Sequence, residues 1–288
     1  MLLKQNKWVL LIFLSLIWGS SFILIKKGLE NGLSAYQVGA LRIIFSSLFL
    51  LIVGFKSLKQ IKPFQWKYIV LTSFIGTFIP AFLFSIAGTK ISSSVSSILN
   101  SLTPLNTLLI GALAFGLTVK RNQYFGVLIG LIGTIILILN GKQQSSVNYY
   151  YSILPVIASI CYALNVNLIK RFLSNVNPLS ITTGNFLVLL VPASIILGCT
   201  DFLQKVTFPQ FETGMFYIAI LGIIGTGIAN IVFFKLIQMT STVFATSVTY
   251  FIPIVAFSWG LLDTEDLQFL QFIGAFIILV GVYIVNKK

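Results

Sequence analysis

Two apolar stretches of the chain carry polar side chains at steps of three and four residues. These residues are Ser93, Ser96, Ser97, Asn100 and Pro104 in the first stretch, and Thr242, Thr246, Thr249 and Pro253 in the second. In an α-helix, residues at this spacing share one face. Their hydroxyl and amide groups donate and accept hydrogen bonds without carrying charge, so the pattern predicts either helix packing or a lined cavity.

Both interpretations are open at this point. Serine and threonine let helices approach closely and form hydrogen bonds across their interface. Alternatively, both faces line a central cavity, and the prolines loosen the helices beside it. The two stripes occupy the same positions of a repeat described below, which favours the cavity. The candidates from these faces are Ser97, Asn100, Pro104, Thr246, Thr249 and Pro253.

A second pair of helix faces combines aromatic and polar residues within apolar segments. One face contains Trp18 and the other contains Tyr162. Tryptophan and tyrosine prefer the membrane interface, so their position near the middle of a helix suits a cavity wall. Asn230 also lies mid-segment, where a carboxamide facing hydrocarbon is costly. These segments add Ser15, Trp18, Ser21, Tyr162, Asn165 and Asn230 to the candidates for a substrate-binding cavity.

Arg42 is a charge well inside an apolar segment. Charged residues in such positions nearly always face the interior of a helix bundle or an aqueous cavity, and they are functional candidates by default. The alternative is a structural arginine that binds helix carbonyl groups or extends to the membrane surface. We include Arg42 among the cavity candidates.

The residue inventory excludes several kinds of chemistry. The chain has no histidine, which removes histidine bases, ligands and pH switches. No aspartate or glutamate lies well within an apolar segment, so an intramembrane enzyme is disfavoured. The two cysteines, Cys161 and Cys199, are interpreted as small buried hydrophobes. We therefore predict no catalytic residue, no metal site and no cofactor, and we predict that the chain is not an enzyme.

The composition requires a lipid environment for the elements that carry these residues. Of 288 residues, 57% are hydrophobic and 9% are charged, against about 25% charged in a typical soluble domain. A membrane-spanning helix needs about 17–25 apolar residues. Ten segments meet this description, near residues 8–25, 34–54, 68–88, 93–115, 124–140, 150–169, 178–198, 214–236, 242–262 and 268–286. We predict an all-α polytopic membrane protein of ten transmembrane helices.

The net charge of +13 is explained by topology rather than by nucleic acid. The Lys and Arg residues lie between apolar runs and are not gathered into a basic stripe. With the first residues in the cytoplasm, thirteen Lys and Arg fall inside, five fall outside, and all six acidic residues fall outside. This distribution follows the positive-inside rule. It predicts that both termini are cytoplasmic and that the segment around Lys142 to Tyr149 is external.

The chain also repeats itself. At an offset of 149 residues, matches include Gly76/Gly225, Thr77/Thr226, Phe84/Phe233, Pro104/Pro253 and Gly111/Gly260. At an offset of 144, Trp18 corresponds to Tyr162 and Ser21 to Asn165. A unit of five helices is odd, so the second copy must enter the membrane from the opposite side. We predict two inverted-topology repeats, residues 1–145 and 146–288, in one membrane domain. The apolar start resembles a signal peptide, but its counterpart in the second repeat argues against cleavage.

These residues give the chain a resemblance to the drug/metabolite transporter superfamily, in its ten-helix EamA-type branch. The resemblance covers nearly the whole chain. It rests on Trp18-Gly19-Ser20-Ser21 with Lys26, on Arg42, on the Pro104 and Pro253 segments, and on the tail from Glu265 to Gly274 and Gly281. The family commonly has glutamate nine residues before the glycine that opens the fifth helix of each repeat. Glu265 fits this pattern, but the first repeat has Leu117 before Gly126.

The resemblance implies secondary transport of a small metabolite, often export of amino acids or related compounds, by alternating access around a central cavity. The partners are then a small-molecule substrate and the lipid bilayer, not nucleic acid. The expected location is the bacterial cytoplasmic (inner) membrane. A flippase for lipid-linked or amphipathic substrates is the alternative. Because histidine is absent and the carboxylates lie outside the spans, we expect a facilitator or exchanger rather than a proton-coupled carrier.

Overall fold

The computed structural model describes residues 6–91, 93–118, 120–139, 149–205, 209–262 and 269–286, and this part of the chain is helical with short connections. The α-helices are α1 (Lys7–Glu30), α2 (Ala35–Gly54), α3 (Trp66–Ser73), α4 (Ile79–Ala87), α5 (Ser93–Asn100), α6 (Thr103–Phe115), α7 (Arg121–Leu139), α8 (Tyr149–Phe172), α9 (Pro178–Gly198), α10 (Phe202–Lys205), α11 (Pro209–Ile220), α12 (Ala229–Met239), α13 (Thr242–Thr246), α14 (Val248–Leu262) and α15 (Phe269–Asn286). The predicted all-α class agrees with this architecture.

Six continuous helical segments of the described chain are long and apolar enough to cross a bilayer. They are Lys7–Glu30, Ala35–Gln60, Pro63–Ala87, Tyr150–Phe172, Pro178–Gly198 and Pro209–Met239. Each contains at least the roughly 20 residues that a spanning helix requires. The chain is therefore an integral membrane protein.

Four further predicted spans coincide with helices that did not meet this criterion. The spans at 124–140 and 268–286 correspond to α7 and α15, which pack against each other. The spans at 93–115 and 242–262 are each divided, because a break separates α5 from α6 and Ser247 separates α13 from α14. The polar stripes of these two segments therefore do not run along one uninterrupted helix.

The prolines in the divided segments release backbone carbonyl groups that would otherwise be bonded within the helix. A proline has no N–H to offer the carbonyl four residues earlier. The carbonyl of Asn100, four residues before Pro104, accepts a hydrogen bond from Thr103 Oγ1 at 2.6 Å. The carbonyl of Thr249, four residues before Pro253, accepts one from Ser101 Oγ at 2.9 Å. The second bond joins the two divided segments.

Two helical segments contain stretches of π-helix at corresponding positions. Phe74–Phe78 lies between α3 and α4, and Leu221–Ile228 lies between α11 and α12. Such stretches widen the helix locally and are frequent at functional sites. Both contain a Gly-Thr pair, Gly76-Thr77 in the first and Gly225-Thr226 in the second.

The two ends of the helix bundle are packed by separate hydrophobic clusters. At one end, called here the Lys56 end, the first turns of α1 and the last turns of α8 and α12 meet around residues such as Leu11, Ile169 and Ile237. At the other, the Lys90 end, the last turns of α1 meet α4 and α11 around residues such as Ile25 and Phe84.

Hydrogen bonds of polar side chains join helices at both ends of the bundle. At the Lys56 end, Lys170 Nζ donates to the carbonyl oxygens of Ile237 at 3.0 Å and Thr240 at 2.7 Å, a favourable site for a cation at the end of α12. At the Lys90 end, Gln37 Nε2 donates to Asp201 Oδ1 at 2.9 Å. The hydrogen bond from Lys205 lowers the pKa of the Asp201 carboxyl.

Candidate functional site

A cavity lies between the two hydrophobic clusters and contains about 830 Å³ of empty space, including its opening to solvent. It is bordered by α1, α2, α4, α8, α12, the two π-helical stretches and the divided segments. Nine of the thirteen predicted site residues line it. These are Trp18, Ser21, Arg42, Asn100, Tyr162, Asn165, Asn230, Thr246 and Thr249.

The other four predicted residues lie outside the lining. Ser15 Oγ donates to the Leu11 carbonyl of its own helix at 2.8 Å, and Ser15 packs α1 against α14. Ser97 is fully buried. Pro104 and Pro253 are buried in α6 and α14. In this structure these residues shape the surrounding helices instead of bordering the cavity.

Arg42 is the cation of the cavity wall, and its orientation is set by Thr226. Its Nε and Nη2 atoms both donate to Thr226 Oγ1, at 3.2 Å and 3.0 Å. Thr226 Oγ1 in turn donates to the Leu221 carbonyl at 3.0 Å, within the π-helical stretch. An arginine has five N–H groups. Two of those of Arg42 are used here, and the other three have no acceptor among the described residues.

Close packing between α2 and the second π-helical stretch brings Arg42 to this position. Ser46 Oγ donates to the Gly222 carbonyl at 2.6 Å. A Cβ atom at Gly222 would lie 2.8 Å from the Arg42 carbonyl oxygen, so only glycine permits this approach of the two backbones.

Two aromatic pairs form walls of the cavity. Trp18 packs against Phe233 with ring centroids 4.8 Å apart and an interplanar angle of 69°. Tyr162 stacks on Phe84 at 6.1 Å and 19°. The Trp18 indole N–H also donates to the Gly225 carbonyl at 3.0 Å. Both geometries are favourable for aromatic pairs, and they give the cavity two apolar walls.

The neutral polar residues of the lining are mostly held by their own helices. Thr246 and Thr249 donate to carbonyls three or four residues earlier, and Asn230 Nδ2 donates to the Thr226 carbonyl at 2.9 Å. Asn165 differs, because it is only 3% exposed and its Oδ1 has no hydrogen-bond partner among the described residues. An unpartnered buried polar atom is costly, so the Asn165 amide is a point at which a bound molecule could contribute a donor after small side-chain movement.

Most of the lining is arranged in pairs at the two offsets found in the sequence. The pairs are Trp18/Tyr162 and Ser21/Asn165 at 144 residues, and Gly76/Gly225, Thr77/Thr226, Ala81/Asn230, Phe84/Phe233, Asn100/Thr249 and Thr103/Ile252 at 149 residues. The contacts correspond as well. A Cβ at Gly225 would lie 2.9 Å from Ser21 Oγ, and one at Gly76 would lie 2.2 Å from Asn165 Cγ.

Eleven residues of the lining were not among those predicted for the site. They are Phe22, Ile25, Gly76, Thr77, Ala81, Phe84, Thr103, Gly225, Thr226, Phe233 and Ile252. The Gly-Thr and phenylalanine pairs were already visible as identities between the repeats, so that signal identifies cavity positions. Phe22 and Ile25 carry no such signal, since each is an apolar residue in an apolar helix.

The charge of the lining is unbalanced. Arg42 is a full positive charge, and none of the lining residues is an aspartate or glutamate. Glu265, the carboxylate singled out by the sequence, lies outside the described residues. The arrangement provides donors for one anionic group, two apolar walls and neutral amides, which is the composition of a binding site.

Comparison with known proteins agrees with this architecture. The model of the EamA-like transporter family matches the chain twice, over residues 6–139 and 150–287. The chain is 25% identical to an "Uncharacterized transporter" of Archaeoglobus fulgidus, covering 99% of this chain and 100% of that protein. It is 27% identical to the "Uncharacterized inner membrane transporter YedA" of Escherichia coli (strain K12), covering 96% and 89%.

Two further similarities are to a relative whose name states a function and to a protein of known structure. A "Probable amino-acid metabolite efflux pump" of Escherichia coli (strain K12) is 24% identical, with 98% of this chain and 95% of that protein covered. A protein of known crystal structure superimposes with a TM-score of 0.73 at 15% identity, over 96% of this chain and 95% of the other. At that identity the superposition demonstrates a shared fold.

Proposed function

Since the chain belongs to the EamA-like transporter family, we propose that it is a secondary transporter of small metabolites that carry a carboxylate, such as amino acids or related compounds. The chain is a membrane transporter by family. Its substrate class, its direction of transport and its mechanism are the subjects of the proposal. Export or exchange is the expected direction, and the expected location is a bacterial inner membrane.

Arg42 is the observation that carries this proposal. Two of its N–H groups are bound by Thr226, which leaves both N–H groups of Nη1 and one of Nη2 for a ligand. Donors on these two nitrogens match the spacing of the two oxygens of a carboxylate. No lining residue carries a negative charge that would compete for them. A carboxylate therefore has a better partner in this cavity than an ammonium group has.

The rest of the cavity suits a small organic molecule. The aromatic pairs Trp18/Phe233 and Tyr162/Phe84 offer apolar surface. The Asn165 amide offers a site for a donor of the substrate. A related protein is named an amino-acid metabolite efflux pump, which is compatible with a carboxylate bound at Arg42 and a side chain between the aromatic walls.

Alternating access is supported by a difference between α1 and α8. Phe22 and Ile25 of α1 line the cavity, so it extends toward the Lys90 end. Their counterparts at the offset of 144 residues are Val166 and Ile169 of α8, which are fully buried in the cluster at the Lys56 end. We infer that the cavity is closed at the Lys56 end in this structure and that transport exchanges the two arrangements.

The ten-span topology and the inverted repeat belong to the same proposal. Two matches of one family model, at residues 6–139 and 150–287, support a duplicated unit, and the paired lining residues support related positions of the two copies. We retain the division at 1–145 and 146–288 and the cytoplasmic position of both termini. The Lys56 end is then cytoplasmic and the Lys90 end is external.

Proteoliposomes provide the test of the substrate class. Liposomes containing the purified protein are loaded with unlabelled amino acids. Uptake of labelled amino acids is then compared with uptake of the corresponding amides, in which a neutral carboxamide replaces the carboxylate. We expect exchange of the carboxylates at least about tenfold faster than that of the amides, because the amide loses a hydrogen bond to a charged group. Equal rates for both series would contradict the proposal.

The same liposomes test the coupling mechanism. A facilitator or exchanger should be stimulated by substrate on the opposite side and should be indifferent to an imposed pH gradient with the membrane potential clamped. Uphill accumulation abolished by a protonophore would contradict this expectation. We expect a facilitator or exchanger because a proton-coupled carrier usually needs a membrane-embedded titratable group. The described lining of the cavity contains no carboxylate.

Topology is tested by labelling single cysteines in intact cells, in a background without Cys161 and Cys199. An impermeant reagent should reach position 145 and should not reach position 2. Both positions lie outside the described residues, so this expectation rests on the distribution of charges along the sequence. The reverse pattern of labelling would overturn the orientation.

A flippase for lipid-linked or amphipathic substrates is the second candidate, and one feature favours it. Gly225 borders the cavity and also a groove on the outer surface of α1 and α11, lined by residues that include Phe13, Leu16 and Ile224. An apolar tail in that groove would lie next to a head group in the cavity. Transfer of a fluorescent lipid between leaflets of the proteoliposomes, without carboxylate exchange, would favour this alternative over the first.

A further inference from the structure

The connection between α2 and α3 is rich in exposed positive charge. Together with the first two residues of α3 it makes up residues 55–67, called here the lysine segment, which contains the short 3-10 helices Phe55–Gln60 and Pro63–Gln65. Four lysines of this segment are exposed, namely Lys56, Lys59, Lys62 and Lys67. The chain has no aspartate or glutamate between Glu30 and Asp201, and none of the four lysines forms a salt bridge with a described residue.

The lysine segment also presents apolar side chains outward. Phe55 is 62% exposed and precedes Lys56, and Phe64 is 60% exposed and lies between Lys62 and Lys67. Exposed aromatic rings between cations are typical of an element that lies in the interface of a membrane, with its rings among the acyl chains and its cations among the headgroups.

Buried contacts hold the segment in this orientation. Ser180 Oγ, from the start of α9, donates to the Ser57 carbonyl at 2.9 Å. Ile61 is buried in the cluster of the Lys56 end, and the Lys62 backbone N–H donates to Gln65 Oε1 at 2.9 Å. The lysines are therefore presented on a fixed scaffold, which reduces the entropy lost when they bind a ligand.

At the Lys90 end of the molecule, by contrast, lysines form salt bridges within the chain. Lys27 Nζ lies 3.0 Å from Glu30 Oε2, and Lys205 forms a salt bridge with Asp201. Positive charge at the Lys90 end is thus partly neutralised within the chain. None of the four lysines of the lysine segment has such a partner among the described residues, which leaves their charge available to an anionic ligand.

We propose that the lysine segment binds the phosphate groups of anionic phospholipids at the membrane surface. The ligand is a lipid rather than a soluble anion because the exposed Phe55 and Phe64 rings need an apolar environment beside the charged headgroups. Basic residues next to a spanning helix attract anionic lipids, and the attraction decreases with ionic strength. This proposal is independent of which substrate the cavity carries.

Lipid retention in native mass spectrometry tests the proposal. The full-length protein is reconstituted in nanodiscs of equal parts phosphatidylglycerol and phosphatidylcholine, and the ratio of the two retained lipids is measured. Lys59→Gln/Lys62→Gln is compared with Lys90→Gln/Lys205→Gln, which removes the same charge at the opposite end. We expect the first variant to lower the preference for phosphatidylglycerol by about tenfold at low salt, and the second to leave it unchanged.

Two results would overturn the proposal. One is equal retention of phosphatidylglycerol by the two double variants. The other is displacement of the lipid by millimolar glycerol phosphate, which has the phosphate without the acyl chains and would indicate a soluble anion as the ligand. The wild-type protein adds a second measurement, since the preference should fall steeply as ionic strength is raised. A preference that does not depend on salt would exclude the electrostatic contact.

Discussion

Trp18 on α1 packs against Phe233, and Tyr162 on α8 packs against Phe84, so the two walls of the cavity are built alike. Both walls also pair a polar residue of the long helix with a glycine of a π-helical stretch. Arg42 breaks this correspondence, because its counterparts at offsets of 144 and 149 residues, Phe186 and Val191, do not line the cavity.

This difference suggests a division of roles between paired and unpaired residues. Paired residues form the frame that both halves share, and changes there should disturb packing or the fit of apolar groups. Arg42 has no equivalent, so it introduces charge into an otherwise neutral cavity. If the division is correct, Arg42 should govern binding of the charged group, and the paired residues should have smaller effects.

The largest expected effect follows removal of the unpaired charge. We expect Arg42→Gln to lower carboxylate transport by about 10- to 100-fold, because a hydrogen bond to a charged group contributes about 1.5–3 kcal/mol. Arg171→Gln, an exposed arginine at the end of α8, is the matched control and should transport normally. Initial rates in proteoliposomes, normalised to folded protein, provide the measurement. Normal transport by Arg42→Gln would remove the basis of the proposed carboxylate site.

A second, smaller loss is expected at the paired walls. Trp18→Ala removes a ring against Phe233 and the hydrogen bond to the Gly225 carbonyl. Asn100→Ala removes a lining amide. We expect each to reduce transport by about tenfold, which corresponds to about 1.4 kcal/mol. Trp66→Phe, outside the lining, is the control. Loss of folded protein with unchanged transport per molecule would instead indicate that these residues only pack the helices.

The sequence predicted the helices and much of the cavity for identifiable reasons. Hydropathy locates apolar helices directly, and polar residues within them stand out, which is why Trp18, Arg42 and Asn100 were identified. The repeat identities also contained Thr226, although its contact with Arg42 depends on how α2 packs on the π-helical stretch. Long-range packing of this kind leaves no local pattern in the sequence.

Other features could not be predicted because apolar residues look alike in an apolar helix. Phe22 and Ile25 border the cavity, whereas their counterparts Val166 and Ile169 do not. That distinction depends on how the helices pack rather than on residue type. Ser97 and Thr246 occupy equivalent stripe positions, but only Thr246 lines the cavity.

The glycine pair tests the shared frame through stability. A Cβ at Gly76 would lie 2.2 Å from Asn165 Cγ, whereas one at Gly225 would lie 2.9 Å from the Ser21 hydroxyl, which can rotate away. We expect Gly76→Ala to destabilise the protein by about 1–3 kcal/mol, as overpacking does, and Gly225→Ala to cost less. Gly198→Ala, with no atom within 4 Å, is the control. Thermal unfolding in detergent gives the order, and equal costs at all three positions would contradict the close approaches.

The smallest effect is expected from a comparison of substitutions at the paired residues Thr226 and Thr77. Both threonines line the cavity at equivalent positions, but only Thr226 accepts hydrogen bonds from Arg42. Valine has nearly the same shape and no hydroxyl, so Thr226→Val frees the guanidinium from its acceptor and leaves the cavity volume almost unchanged. A neutral hydrogen-bond partner is worth about 1 kcal/mol, which predicts an apparent substrate affinity about fivefold weaker. Thr77→Val should leave the affinity unchanged, because the hydrogen bonds of Arg42 go to Thr226. Saturation curves of carboxylate exchange, measured for both variants at equal folded protein, distinguish the two positions. A similar loss in both would mean that the threonines act through the packing of the π-helical stretches, and Thr226 would then have no special part in positioning Arg42.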